Sequence, residues 1–245
     1  MTDIQRRVAI VTGGSRGIGR AAAERLAADG QAVVIAYAGN DIEAKAAVDV
    51  IEAASGSAVA VKADVADEAA VARLFDTAET TYGGVDVVVH AAGVMTLSPV
   101  AEIDLDALDR MHRTNIRGTF VVNQQAARRI RTGGAVINFS TSVTKLALPT
   151  YAAYAASKAA VEAISMVLAK ELRGRDITVN AVAPGPTATA LFLDGKDDAT
   201  IDRMAKMNPL ERLGTPADIA EVVSFLAGPA RWINGQTIYA NGGIA

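Results

Sequence analysis

Seven short apolar runs, each separated from the next by a stretch long enough to hold a helix, constrain the fold of this chain more than any other feature. Residues 8–12, 32–37, 58–62, 85–90, 135–139, 176–182 and 236–239 read as strands. Runs that lack polar alternation belong to strands buried on both faces. Residues 17–29, 41–54, 68–82 and 151–173 carry helical periodicity, as does a longer stretch with Leu105, Leu108 and Met111 at apolar positions. Parallel neighbours cannot be joined by a tight turn and need a crossover of about a dozen residues or more. The spacing therefore predicts an α/β fold: a doubly wound, seven-stranded parallel sheet with helices on both faces and right-handed crossovers. The 245 residues, 51% of them hydrophobic, suffice for one sizeable core, and no charge run or low-complexity stretch marks a linker. A single domain over 1–245 follows.

Composition removes several classes of function. The chain has no cysteine, so disulfides and thiolate metal sites are excluded; its two histidines, His90 and His112, fall in different elements without ligand spacing. No metal site is expected. The formal net charge of −3, with mixed signs, gives no nucleic-acid footprint. No apolar segment approaches membrane-spanning length, and residues 1–7 are polar and unlike a secretory leader, so no membrane contact and a cytoplasmic location are expected.

In a doubly wound sheet the ligand crevice lies beyond the carboxyl ends of the strands. Gly13, Asp64, Gly93, Thr141 and Pro184 all fall at such ends and would share one rim. The first strand runs into Thr12-Gly13-Gly14-Ser15-Arg16-Gly17-Ile18-Gly19 and then a helix. Glycines there allow a sharp turn and close approach of backbone amides to a pyrophosphate, and a helix N-terminus favours that anion. The glycine spacing is wider than the common dinucleotide fingerprint, but its place at the first strand–helix junction favours a dinucleotide over simple turn chemistry. The second strand ends in Tyr37-Ala38-Gly39-Asn40, without the carboxylate that would accept a ribose 2′-hydroxyl, and Arg16 offers a cation to a 2′-phosphate. Asp41 is the contrary signal, although beside Asn40 it also reads as a helix cap. NADP is the expected cofactor, with NAD the alternative.

Tyr154 and Lys158 stand four residues apart in Tyr-Ala-Ala-Ser-Lys, on one face of the helix at 151–173. A phenol with a pKa near ~10 is only about 0.1% ionised at neutral pH. An ammonium close by, in a partly dry cleft beside a cationic cofactor ring, is expected to lower that pKa and allow the tyrosine to exchange a proton with an alcohol oxygen. A Tyr/Lys pair on a solvated helix is the bland alternative. Its place after the fifth strand, aimed at the same crevice as the glycine loop, favours the chemical reading.

Taken together, these motifs resemble the short-chain dehydrogenase/reductase family, in its classical branch, whose fold is a single-domain doubly wound Rossmann sheet. The likeness covers nearly the whole chain: the glycine loop, Asp64-Val65, the Tyr-x-x-x-Lys pair, Pro184-Gly185, residues 212–220, and 234–243. It implies that Tyr154 is the proton donor or acceptor and that Lys158 tunes it and binds the nicotinamide ribose. It implies further that Asn115 holds a water in a proton relay, and that Asp64 with Val65 contacts the adenine. Thr187 would meet the nicotinamide or phosphate end of the cofactor. Gly13, Ser15, Arg16, Gly17, Ile18, Gly19, Tyr37, Ala91, Ala92, Gly93, Pro184 and Gly185 complete the expected cofactor contacts. As plain structure, Asp64 would be a helix cap, Asn115 an ordinary helix residue and Thr187 a loop residue.

Two positions depart from the family pattern. His90-Ala-Ala-Gly93 replaces the usual Asn-Asn-Ala-Gly, which predicts that His90 takes over an asparagine's structural hydrogen bond. The family's catalytic serine falls thirteen residues before the tyrosine, where this chain has Thr141, with Ser142 as the alternative hydroxyl. The resemblance implies an NADPH-dependent carbonyl reductase acting on a small molecule, with 3-oxoacyl-[acyl-carrier-protein] reductases as the nearest analogy. It implies a mobile lid within about 187–210 and a homotetramer or dimer. A non-catalytic redox regulator would have no use for Tyr154, Lys158 and Asn115 together, and a sugar-nucleotide epimerase would need a larger substrate domain.

Overall fold

The structure, a computed structural model, describes residues 6–245. Residues 1–5 of the polar N-terminal stretch lie outside the described residues. Seven strands form one parallel sheet in the order β3-β2-β1-β4-β5-β6-β7. They are β1 (Val8–Thr12), β2 (Ala32–Tyr37), β3 (Ser57–Lys62), β4 (Val87–His90), β5 (Ala135–Phe139), β6 (Thr178–Pro184) and β7 (Thr237–Ala240). The sixth strand begins two residues later than its apolar pattern predicts. Asp176 adopts a left-handed conformation at φ 50°, which ends the preceding turn and cannot extend a strand.

Side chains alternate between the two sheet faces, and each face carries its own core. On β1, Val8 and Ile10 join Leu74, Phe75, Val122 and Leu168 on one side. Ala9 and Val11 join Leu26, Ile51, Ile219 and Leu226 on the other. The first layer is built by α3 (Glu68–Tyr82), α5 (Gly118–Arg129) and α7 (Ala152–Glu171). The second is built by α1 (Gly17–Ala28), α2 (Asp41–Ala53) and α10 (Pro216–Ala227).

Helix ends follow local side-chain chemistry. Asn40 accepts the amides of Ile42 and Glu43 and caps α2, so Asp41 lies in the first turn and is not the cap. Asp67, not Asp64, caps α3 by accepting the Ala70 amide, and Gly83 closes that helix at φ 87°. Helix α10 went unread in the sequence, although Thr215 and Asp218 form a reciprocal capping box with a proline in the first turn. The long helical stretch around Met111 is α4 (Leu105–His112), then one π turn (Arg113–Arg117), then α5. Short helices α6 (Val143–Leu146), α8 (Ala190–Leu193) and α9 (Asp198–Ala205) lie over the carboxyl ends of β5 and β6.

One expectation needs correcting. Helix α7 has 20 residues with a mean hydropathy of 1.3 over its most apolar window, long and apolar enough by those measures to cross a membrane. Its Val161, Leu168 and Ala169 are buried beside β5 and β6, while Met166 and Val167 face outward. It carries Tyr154 and Lys158 on its buried side.

Candidate active site

The strand order reverses between β1 and β4, and the loops that follow those strands touch. A Cβ on Gly13, which sits at φ 66°, would fall 2.9 Å from the Ala92 amide, and one on Gly19 would fall 2.2 Å from the Gly13 carbonyl. Only glycine allows this closure. Helix α1 starts at Arg16 with no side-chain cap, in contrast to α2, α3 and α10. Its first-turn amides therefore carry no protein-side-chain acceptor at the point where the dipole favours an anion. This cradle fits a dinucleotide pyrophosphate.

The cradle opens into a cleft of about 780 Å³, in the range of small-molecule sites. Gly13, Ser15, Arg16, Gly17, Ile18, Gly19, Tyr37, Asp64, Val65, Ala91, Ala92 and Gly93 line it, joined by Thr141, Ser142, Tyr154, Lys158, Pro184, Gly185 and Thr187. Asn115 sits just behind this wall, in the π turn and fully buried. Its carboxamide donates to the Val94 carbonyl and accepts the Val94 amide, both at 2.9 Å, and donates to Ser157 Oγ at 3.0 Å. A Cβ on Gly93 would lie 3.2 Å from Lys158 Nζ, so the glycine lets the β4 loop pass directly over the lysine.

Tyr154 and Lys158 are both buried at the cleft wall. Asn138 on β5 sets the helix that carries them, bonding Asn123 of α5 and donating to Ser165 of α7 at 2.9 Å. Lys158 Nζ donates to the Phe139 carbonyl at 2.9 Å and stands 5.9 Å from the Tyr154 ring centroid. Burial pushes the lysine down to about 8. Burial pushes the Tyr154 phenol up to about 12, and a hydrogen bond with the Thr141 hydroxyl offsets only part of that shift. The expected depression of the phenol by its neighbour is thus reversed by the protein's own groups. Desolvation outweighs the rest, and the phenol is held protonated at neutral pH.

The two candidate hydroxyls point in different directions. Thr141 faces the phenol. Ser142 is turned inward and donates to the Ala183 carbonyl at 3.2 Å. Thr187 also lines the cleft, with its hydroxyl donating to the Gly185 carbonyl at 2.9 Å.

His90 lies between two threonines. Nδ1 is 2.8 Å from Thr12 Oγ1 and Nε2 is 3.1 Å from Thr119 Oγ1. Thr119 spends its one proton on the Asn115 carbonyl at 2.6 Å, so it accepts from Nε2–H. Nδ1 then accepts from Thr12, whose oxygen in turn accepts the Ala92 amide. Burial, with a smaller push from Lys158, lowers His90 to about 3 and keeps it neutral.

On another part of the cleft wall, Asp64 accepts the Ala66 amide at 2.9 Å and pairs with Arg113 at 2.6 Å. Burial would raise its carboxyl, but these two partners outweigh that and hold it lowered. Arg113 was not singled out in the sequence, because the π turn that aims it at Asp64 has no sequence signature. Asp41 is held by Lys62 at 3.1 Å and by the Tyr37 phenol, which lower its carboxyl in that order. Met95, Leu148, Tyr151, Phe192, Met204 and Met207 form the apolar end of the cleft. Scattered apolar residues give no local pattern from which that wall could have been read. Among the described residues, no three His, Asp or Glu side chains converge as a metal site would require.

Comparison with known proteins agrees with this geometry. The family model for enoyl-(acyl carrier protein) reductase matches residues 13–245. A short-chain type dehydrogenase/reductase of Picea abies is 44% identical, over 97% of this chain and 92% of that protein. The NADPH-dependent aldehyde reductase 2 of Arabidopsis thaliana is 42% identical, over 97% and 93%. The crystal structure of a short chain dehydrogenase from Burkholderia cenocepacia in complex with NADP superposes with a TM-score of 0.91, at 37% identity over 98% of each chain. A glycine cradle at the sheet's switch point, a buried Tyr/Lys pair on its wall and relatives of this similarity along nearly the full length lead to one assignment: this chain belongs to the short-chain dehydrogenase/reductase family of oxidoreductases.

Proposed function

We propose that this protein is an NADPH-dependent reductase that converts an aldehyde or ketone to an alcohol, reversibly. One observation carries the reading: a buried tyrosine held protonated, with a threonine hydroxyl and an ammonium beside it, on the wall of a dinucleotide cradle. The α1 amides and glycine loop bind the pyrophosphate, and Lys158 holds the nicotinamide ribose. Bound NADPH would supply the hydride for the carbonyl carbon. Tyr154 gives its phenolic proton to the carbonyl oxygen, Thr141 orients that oxygen by a hydrogen bond, and Lys158, itself near its titration point, helps return the proton. Asn115 fixes the Val94 backbone behind this group.

Three observations support NADP over NAD. The β2 end, Tyr37-Ala38-Gly39-Asn40, carries no carboxylate, and Asp41 just beyond it is paired with Lys62. Arg16 lines the same cleft. Relatives include an NADPH-dependent reductase and a structure with NADP. The apolar cleft end suits an apolar carbonyl compound, and a 3-oxoacyl thioester is the second substrate class to try. Residues 187–210, with α8 and α9 above that end, would serve as the lid. Exposed Phe120, Met166 and Val167 on α5 and α7 support assembly as a dimer or tetramer, and a cytoplasmic location completes the proposal. Screening NADPH and NADH oxidation against aldehydes, ketones, quinones and 3-oxoacyl thioesters tests it. NADPH should give the higher kcat/KM by about tenfold or more, as expected for a charged contact to the 2′-phosphate. Equal or better efficiency with NADH would refute the cofactor assignment.

A further inference from the structure

The segment from the end of β5 into α6 carries four hydroxyl side chains, Ser140, Thr141, Ser142 and Thr144, of which Thr141 is the one beside the Tyr154 phenol. The other three are drawn elsewhere. Ser142 donates to the Ala183 carbonyl. Ser140 Oγ and Thr144 Oγ1 both converge on one oxygen, Oε1 of Glu162, at 2.5 and 3.0 Å. Thr144 Oγ1 also lies 2.9 Å from the Thr141 carbonyl, tying that arm to the backbone of the residue in question. Glu162 stands on α7 four residues beyond Lys158 and eight beyond Tyr154, so the three form a stripe along one helix face.

A carboxylate is acceptor-only, so Ser140 turns its proton toward it, while Thr144 shares its one proton between Glu162 Oε1 and the Thr141 carbonyl; charge-assisted bonds to the carboxylate are about twice as strong as neutral ones. The two arms flank Thr141 and anchor its loop to the helix that carries the phenol. Threonine's β-branch restricts χ1, so the direction of its hydroxyl follows the backbone that the clamp fixes. We propose that Glu162 is a positioning residue: its carboxylate clamps Ser140 and Thr144 and so holds the Thr141 hydroxyl against Tyr154. The inference rests on the reductase reading above. It assigns Glu162 no contact with substrate or cofactor.

Turnover of an accepted carbonyl substrate by wild type, Glu162→Gln, Thr141→Ala and the double variant separates this role from general support of the fold. Glu162→Gln should lower kcat by about tenfold and leave the NADPH dissociation constant within about twofold, since it acts through geometry at the reacting group. In the Thr141→Ala background the same substitution should change kcat by less than about twofold, because contacting residues that act as a unit are not additive. Equal losses in both backgrounds, or an unchanged kcat in the single variant, overturn the clamp. Ser140→Ala and Thr144→Val each remove one arm and replace Glu162→Gln if that variant does not fold. Each should lower kcat severalfold, and that loss should vanish without the Thr141 hydroxyl; persistence of the loss overturns the clamp equally. Tyr154→Phe, run alongside, separates the two layers. Retained turnover there sinks the reductase reading itself, whereas an inactive Tyr154→Phe beside a fully active Glu162→Gln sinks only the clamp.

Discussion

Thr141 and Lys158 illustrate how much a single side chain's surroundings decide. The sequence left two hydroxyls open, and the structure separates them by direction. Ser142 is spent on the Ala183 carbonyl, while Thr141 meets the phenol. Thr141→Ala should therefore lower kcat by roughly 100- to 1,000-fold, the scale of one lost hydrogen bond to the developing alkoxide. Ser142→Ala should cost about 1 kcal/mol of stability with kcat within a fewfold of wild type. Steady-state kinetics and urea unfolding of both variants check this pair. Lys158 carries a pH signature. Its pKa falls from 10.5 to about 8 on burial, so the folded protein binds fewer protons than the unfolded chain between those values. Stability gains as pH rises through that window, whereas under the proposed role the ammonium would lose its hold on the cofactor ribose above about 8. The NADPH dissociation constant of Tyr154→Phe, which has no phenol at that position, should still rise above pH 8. A flat profile in that variant would assign the titration to the phenol instead.

At the scale of elements, the strands and crossovers were legible because burial on both faces leaves continuous apolar runs. Val8 and Ile10 face one core and Ala9 and Val11 the other, and no polar residue interrupts the pattern. The glycine cradle was legible for a similar reason, since closure against Ala92 and Gly13 leaves no space for a Cβ. What could not be read depends on how elements meet. The π turn that buries Asn115 and aims Arg113 at Asp64 has no residue signature, and the apolar cleft end gathers side chains from 95 to 207. A four-residue spacing shows that the ammonium is near, but only the packed cleft shows that desolvation prevails. Helix α10 does have a local start signal, Thr215-Pro216-Ala217-Asp218, which forms its capping box.

Across the whole molecule, His90 ties the two halves of the sheet to the site. Thr12 on β1, His90 on β4 and Thr119 on α5 form one directed chain that ends on the Asn115 carbonyl. The family's usual asparagine is thus replaced by a neutral imidazole that spans the switch point. Burial lowers His90 from 6.5 to about 3, so the unfolded chain binds the extra proton between those values. This contribution to stability is complete above about pH 6.5 and declines as pH falls toward 3, by up to roughly 1.4 kcal/mol per pH unit. Urea unfolding of wild type and His90→Asn at pH 7, 6 and 5 isolates it. The variant should show the shallower acid slope, and parallel slopes would mean that His90 is not held neutral.

If the cradle and the buried phenol form one reductase site, Tyr154 supplies the proton. Single-turnover reduction of a carbonyl substrate by Tyr154→Phe, with NADPH affinity measured on the same sample, tests it most directly. The rate should fall by about 100-fold or more, with NADPH binding within about threefold of wild type. A rate within a fewfold of wild type, at unchanged NADPH affinity, would contradict it.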